Sequence, residues 1–245
     1  MDARLAPVRF RSGKHRLAGV LYWPGGARPR PAAILLHGLP GLEKNADLAS
    51  ALQGRGIAAL IVHYRGCWGS EGRFSFEGAV QDIRAAVGYA AGRKEFSKGR
   101  IAVVGFCLGA SLALEAAISD PRIKAVVSIG SHADIRMFDR KLLRLMARES
   151  VRLVRAKPLA FLLRELRGSP PWTAPQEVVH RLSPRPLLIL HGSKDADVPP
   201  DHARRLYACA RPPKALKIIK GTDHYFIAHR ARLIRSVCSW LGKRL

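Results

Sequence analysis

From residue 32 onward, short continuous apolar runs alternate with longer stretches whose apolar residues recur every third or fourth position. Ala32–Leu36, Ile57–Val62, Ile101–Gly105, Ile123–Ile129, Pro186–Leu190 and Ala215–Ile219 read as buried strands. Between them Lys44–Gly54, Phe76–Ala91, Leu108–Ile118, Pro200–Cys209 and Ile227–Leu241 read as helices. Phe76–Ala91, for example, places Ala79, Ile83, Val87 and Ala90 on one face. Strands alternating with helices predict an α/β protein with a mostly parallel sheet and helices on both faces. Upstream, Val8–Arg11 and Leu17–Trp23 flank the turn signal Ser12-Gly13-Lys14, which predicts an N-terminal hairpin and a sheet of roughly eight strands.

One interval breaks this rhythm. Residues 131–185 separate the strand ending at Ile129 from the one starting at Pro186, too far apart for an ordinary connection. Ile135, Phe138, Leu142, Leu145 and Met146 fall on one helical face, and Arg136, Arg140, Arg144 and Arg148 on another. Lys157-Pro158 is expected to break the run. A very apolar piece follows at Leu159–Leu166, then the rigid connector Ser169–Pro175. The division expected is a core of residues 1–130 and 186–245, with 131–185 as a helical cap over a site.

Charge widens the range of readings before the motifs narrow it. Lys plus Arg number 42 against 18 Asp plus Glu, a net charge of +24. Twelve of the cations and five of the acids lie in residues 131–185. Such a balance suits nucleic acid, an anionic membrane surface or an acidic substrate, or is a habit of composition. No nucleic-acid-binding motif is present, so no specific nucleic-acid partner is expected. The opening MDARLAPVRF has no signal-like apolar stretch, and no run of about 20 apolar residues occurs. Cys67, Cys107, Cys209 and Cys238 have neither metal-ligand nor disulfide spacing. A cytoplasmic location is the resulting expectation, with no metal or organic cofactor implied.

The chemistry is concentrated at strand ends. Ile101–Ala110 runs strand, then Gly105-Phe106-Cys107-Leu108-Gly109, then helix. Glycines two before and two after relieve the crowding of a sharp turn, and the helix N-terminus favours a thiolate at Cys107. Downstream, Leu187–Asp195 is a strand ending in a loop with an acid, and Ile218–His224 a strand ending in a loop with a histidine. Nucleophile, acid, histidine in that order, each at the carboxyl end of a strand, predicts a triad of Cys107, Asp195 and His224. Asp197 and His229 are the alternatives at the last two positions. Upstream, Ile34–Gly41 is a strand followed by His37-Gly38-Leu39-Pro40-Gly41. The backbone N–H groups of Leu39 and Leu108 are the candidate oxyanion donors, since Pro40 has none. Candidate pocket-lining residues are Trp68, Ser70, Phe106, Met137 and Met146. His37 and His191 read as residues that shape their loops.

With these residues in place the chain resembles the α/β-hydrolase superfamily over nearly its whole length. H-G-x-P-G, R-G-x-x-G-S-E-G at Arg65–Gly72, the elbow, H-G-x-x-D-x-x-V-P at His191–Pro199 and G-x-D-H at Gly221–His224 each fall where that fold puts them. The elbow GFCLGA resembles dienelactone hydrolases. Gly38–Asp82 and the insertion look more like serine esterases of the feruloyl-esterase and aminopeptidase kind. His63 replaces the acidic residue often found before Tyr64-Arg65-Gly66. The resemblance implies hydrolysis of a carboxylic ester or lactone, an anionic one being an option, through a thioester on Cys107. The alternatives are an acyl-thioesterase or acyltransferase, the elbow also resembling polyhydroxyalkanoate synthases, and a basic anionic-surface-binding protein with a vestigial site.

Overall fold

The computed structural model describes residues 2–39, 45–167 and 173–245. Eight strands form one sheet: β1 (Arg4–Ser12), β2 (His15–Trp23), β3 (Arg30–Leu36), β4 (Ala58–Val62), β5 (Phe96–Phe106), β6 (Ile123–Ile129), β7 (Leu187–Gly192) and β8 (Lys214–Ile219). Their order is β1-β2-β4-β3-β5-β6-β7-β8. β1 and β2 form the predicted hairpin, β2 pairs antiparallel with β4, and every other pair is parallel. The central strands are apolar on both faces because helices cover both.

The helices are α1 (Ala46–Gln53), α2 (Phe76–Ala91), α3 (Leu108–Ser119), α4 (Arg140–Leu153), α5 (Leu159–Arg167), α6 (Pro175–Val178), α7 (Asp201–Cys209) and α8 (Arg230–Gly242). α1 and α8 pack on one face, where Leu48, Leu52, Leu233 and Val237 meet Leu35, Val104 and Val127. α2, α3 and α7 pack on the other, where Ile83, Val87, Leu112 and Leu206 meet Ile34, Val103 and Val126. Lys44, proposed as a helix start, and Ser169–Trp172 of the proposed connector lie outside the described residues.

Three sequence expectations change. The apolar face over 135–146 is not one helix: Ile135–Met137 is a separate turn and α4 starts at Arg140. Two aspartates divide it, with Asp134 Oδ1 accepting from Arg136 N–H at 2.9 Å and Asp139 Oδ1 from Leu142 N–H at 2.7 Å. Ile227 does not begin the last helix; Ile227–His229 is a 3-10 turn after the left-handed Phe226, and α8 follows. β5 starts five residues early, at Phe96, because Arg30 pairs with it there.

The Arg65–Gly72 motif is a structural lock. Arg65 donates to the buried Asp82 of α2 from Nε and Nη2, the latter at 2.7 Å, and from its own backbone N–H at 2.7 Å. The insertion is tied to the same region. Phe74 N–H donates to Arg155 carbonyl, and Lys157 N–H to Phe74 carbonyl. Glu165 of α5 accepts from the N–H groups of Phe76 and Glu77, both at 3.1 Å, so a carboxylate sits at the positive end of α2.

Candidate active site

β5 ends at Phe106 and α3 begins at Leu108, leaving Cys107 alone on the turn with φ 53° and ψ −123°. A side chain tolerates that backbone only where surroundings impose it. Here Cys107 N–H donates to Ile129 carbonyl at 2.8 Å, fastening the turn to β6. The flanking glycines have a steric cause. A Cβ on Gly105 would lie 2.3 Å from Gly109 carbonyl oxygen, and one on Gly109 2.4 Å from His37 carbonyl oxygen. The loop after β3 runs against the turn, since a Cβ on Gly38 would come 2.9 Å from Cys107 Cβ.

The structure brings Asp195 and His224 to the same place. Nδ1 of His224 lies 2.7 Å from Oδ2 of Asp195. The same oxygen is 3.1 Å from Nε2 of the buried His191, and Asp195 Oδ1 accepts from Val198 N–H at 2.8 Å. Burial works against the carboxylate, but the His191 and His224 hydrogen bonds, the His224 charge and the Val198 N–H hold its pKa well below the usual range. Burial likewise opposes a charge on His224. Hydrogen bonds to Asp195 and to Cys107, together with their charges, outweigh it and push His224 up to about 10. His224 thus holds the carboxylate on one side and lines the same cavity as Cys107. Asp197 is exposed at the cavity edge and His229 sits in the turn before α8, so neither alternative joins this chain.

These groups open into a cavity of about 390 Å³. Cys107, Leu108, Gly38, Leu39, Phe106, His224 and Tyr225 form its floor, and Phe138, Leu142, Leu145, Met146 and Leu153 of the insertion its roof. Leu39 and Leu108 line the cavity with Cys107, and Leu108 N–H is the first of α3. Phe106 packs tilted against His224, the ring centroids 5.0 Å apart.

Three of the proposed pocket residues lie elsewhere. Trp68 packs edge-on against His37 and His63, at 4.7 and 5.2 Å between centroids, under the loop rather than in the cavity. Ser70 is buried between β2 and the loop after β4, accepting from Ala18 N–H and donating to His63 carbonyl, both at 2.8 Å. Met137 points to solvent at 43% exposure, because the turn at Asp139 separates it from α4. Phe106 and Met146 do line the cavity. Cys67 is buried, and burial with the nearby Asp82 charge pushes its thiol well up, so it is inert near neutrality.

His132 is a cavity residue that sequence reasoning missed. It follows β6 by three positions and is 2% exposed. Its Nδ1 is 3.1 Å from Ser111 Oγ, which is 3.0 Å from Ser131 Oγ, which donates to His132 carbonyl at 3.0 Å. Each proton is used once if His132 Nδ1–H donates to Ser111, leaving Nε2 as an acceptor with no partner among the described residues. Burial, helped by His202, lowers His132 to about 3, so it is neutral. Its one available signal was its place at the carboxyl end of a parallel strand. Among the described residues no group of three or more His, Cys, Asp or Glu side chains could hold a metal.

The sequence profile of the alpha/beta hydrolase fold matches residues 31–158, which carry the elbow and the loop after β3. The chain belongs to the alpha/beta hydrolase family. It is 30% identical over 212 residues to the uncharacterized protein Rv2307c of Mycobacterium tuberculosis, covering 85% of this chain and 68% of that one. Among solved structures, the hypothetical protein PA2218 of Pseudomonas aeruginosa superposes with a TM-score of 0.80 at 21% identity, covering 100% of this chain and 94% of that one. Est1E of Butyrivibrio proteoclasticus with ferulic acid bound has a TM-score of 0.78 at 18% identity, covering 97% and 98%. No helix among the described residues of this hydrolase-family chain is long and apolar enough to cross a membrane.

Proposed function

We propose that the protein hydrolyses carboxylic esters or lactones through Cys107, with His224 as acid and base and Asp195 as its orienting partner. The observation that carries this reading is the Asp195–His224 hydrogen bond of 2.7 Å beside Cys107, with His224 and Cys107 lining one apolar cavity. The Cys107 thiol would pass its proton to His224 as the sulfur attacks the substrate carbonyl carbon, and the carbonyl π electrons would move to oxygen. Leu39 and Leu108 N–H would hold that oxyanion. His224 would protonate the departing alkoxide as the carbonyl re-forms, leaving a thioester on Cys107. Water, giving a proton to His224, would then attack the thioester and release the acid and the sulfur. The helices of residues 131–185 act in this reading as a lid that supplies the acyl-chain contacts.

The lining favours a substrate that is neutral near the reacting carbon. Arg152 is met there by Glu149, 3.8 Å away, and Asp197 lines the same cavity. Steering of an anionic substrate by the net charge of +24 finds no net positive cavity wall to end on.

The test is turnover of p-nitrophenyl acetate and butyrate, with mass spectrometry of the quenched enzyme. An acyl adduct on the peptide holding Cys107, and loss of at least a thousandfold in kcat/KM for Cys107→Ala, are expected. Undiminished turnover by Cys107→Ala overturns the mechanism. Acyl transfer is the second reading. It is favoured by the apolar roof of Phe138, Leu142, Leu145, Met146 and Leu153, which offers an apolar acceptor a place beside a thioester. Added alcohol or thiol acceptors that divert the acyl group faster than water hydrolyses it would select transfer.

A further inference from the structure

Six large apolar side chains are exposed among the described residues: Leu5, Met137, Leu145, Val151, Leu153 and Ile227. All but Leu5 belong to the insertion or to the turn that follows His224. Leu145 and Leu153 are 53% and 43% exposed because they line a cavity that opens to solvent there. Ile227, at 75%, stands three residues beyond the candidate base. Leu145 and Leu153 at that opening, with Val151 exposed on the same helix, mark a contact surface.

The outer face of α4 at this rim is mostly basic. α4 carries Arg140, Lys141, Arg144, Arg148 and Arg152 against Glu149 alone. Leu143, Ala147 and Ser150 face the core. Lys141, Leu145, Arg148 and Arg152 are spaced four, three and four residues apart, so they form one exposed stripe along the helix. Leu145 and Arg152 of this stripe also line the cavity, which places the stripe on its edge.

We propose that this rim docks on an anionic lipid bilayer, so that the cavity opens toward the membrane surface. Long cationic side chains reach lipid headgroups while the apolar ones between them enter the acyl boundary. Nucleic acid fits less well, because the exposed apolar residues are aliphatic or Met and offer no stacking surface. A docked mouth takes its ester from the lipid phase. The proposal builds on the cavity as substrate site, but docking is read without turnover and does not depend on Cys107.

The experiment is co-sedimentation with vesicles of phosphatidylglycerol and phosphatidylcholine in equal parts, against phosphatidylcholine alone. Each basic residue near an anionic surface is worth roughly fivefold in partition. The Arg144→Glu/Arg148→Glu double variant should lose at least tenfold, and Ile227→Glu should also bind more weakly. The control is Arg232→Glu/Arg235→Glu, an equal reversal in a separate basic groove beside Trp240. It should stay within about twofold of wild type, and p-nitrophenyl acetate turnover should survive in all three variants. Equal loss in the control would trace binding to bulk charge and overturn the proposal. So would unchanged binding of the α4 variant, or wild-type binding that ignores phosphatidylglycerol. Vesicle binding by a Cys107→Ala protein separates failure of docking from failure of the catalytic reading.

Discussion

His191 Nε2 lies 3.1 Å from Asp195 Oδ2, the oxygen that also receives the His224 hydrogen bond. Nε2 is also 2.7 Å from Val198 carbonyl, so its proton is shared between a carboxylate and a backbone oxygen. His191 therefore holds the acid that holds the base. His191→Phe should keep the shape of the buried site and remove the donor. We expect a kcat/KM about tenfold lower and stability reduced by about 1–3 kcal/mol. The sign of the pH effect follows from Asp195. Its depressed pKa contributes stability above the unfolded value near 3.8, lost as pH falls through the folded one. Without His191 the folded pKa of Asp195 rises toward 3.8, so the loss on acidification should be smaller and end at higher pH, whereas a purely structural His191 would leave the acid limb in place. Urea unfolding and pH–rate profiles of the two proteins check this.

The roof of the cavity sets acyl length if it holds the acyl chain. Leu142 and Met146 project from one face of α4 into about 390 Å³ of space. Leu142→Trp should raise KM for p-nitrophenyl octanoate at least tenfold while leaving acetate within about twofold, since added volume excludes only what would occupy it. An equal effect on both esters would place the acyl group elsewhere.

How much was legible in the sequence depends on how local each cause is. The strands were legible because burial on both faces leaves continuous apolar runs such as Ile34-Leu35-Leu36. The turn at Cys107 was legible because its steric demand falls on Gly105 and Gly109, two residues either side. Asp195 and His224 followed from chain order along the sheet. Trp68 and Ser70 misled because a loop residue near a strand end can face inward or outward, and here His63 and Ala18 draw them under the loop. The division at Asp139 was hidden because the apolar spacing continues through it, and only the cap hydrogen bond to Leu142 breaks the helix. His132 gave no local sign, since its partner Ser111 lies on another element, α3.

Glu165 ties the insertion to the core. Its carboxylate accepts from the first two N–H groups of α2, and burial raises its pKa despite those bonds. Glu165→Ala should lower stability by about 1–2 kcal/mol through the lost cap. Its effect on turnover should fall on KM more than on kcat, because Cys107, His224 and Asp195 stand on other elements. Faster trypsin cleavage within the Arg-rich α4 should accompany it. Unchanged cleavage would show that α5 does not depend on this tie.

His132 gives a stability test that needs no substrate. Its pKa is lowered from 6.5 to about 3 by burial and by His202. The unfolded chain therefore takes up a proton at this site below about pH 6.5 that the folded protein refuses until near pH 3. Stability must fall as pH drops through that window, by about 1.5 kcal/mol from this group between pH 6.5 and about pH 5. His132→Gln cannot titrate. Whatever it costs through the Ser111 contact, that cost should be constant with pH, so the two stability curves should converge toward acid. Urea unfolding of both proteins at a series of pH values reads the difference. Parallel curves would mean that His132 takes its proton in the folded protein near the ordinary pH, and that Nε2 is open to water.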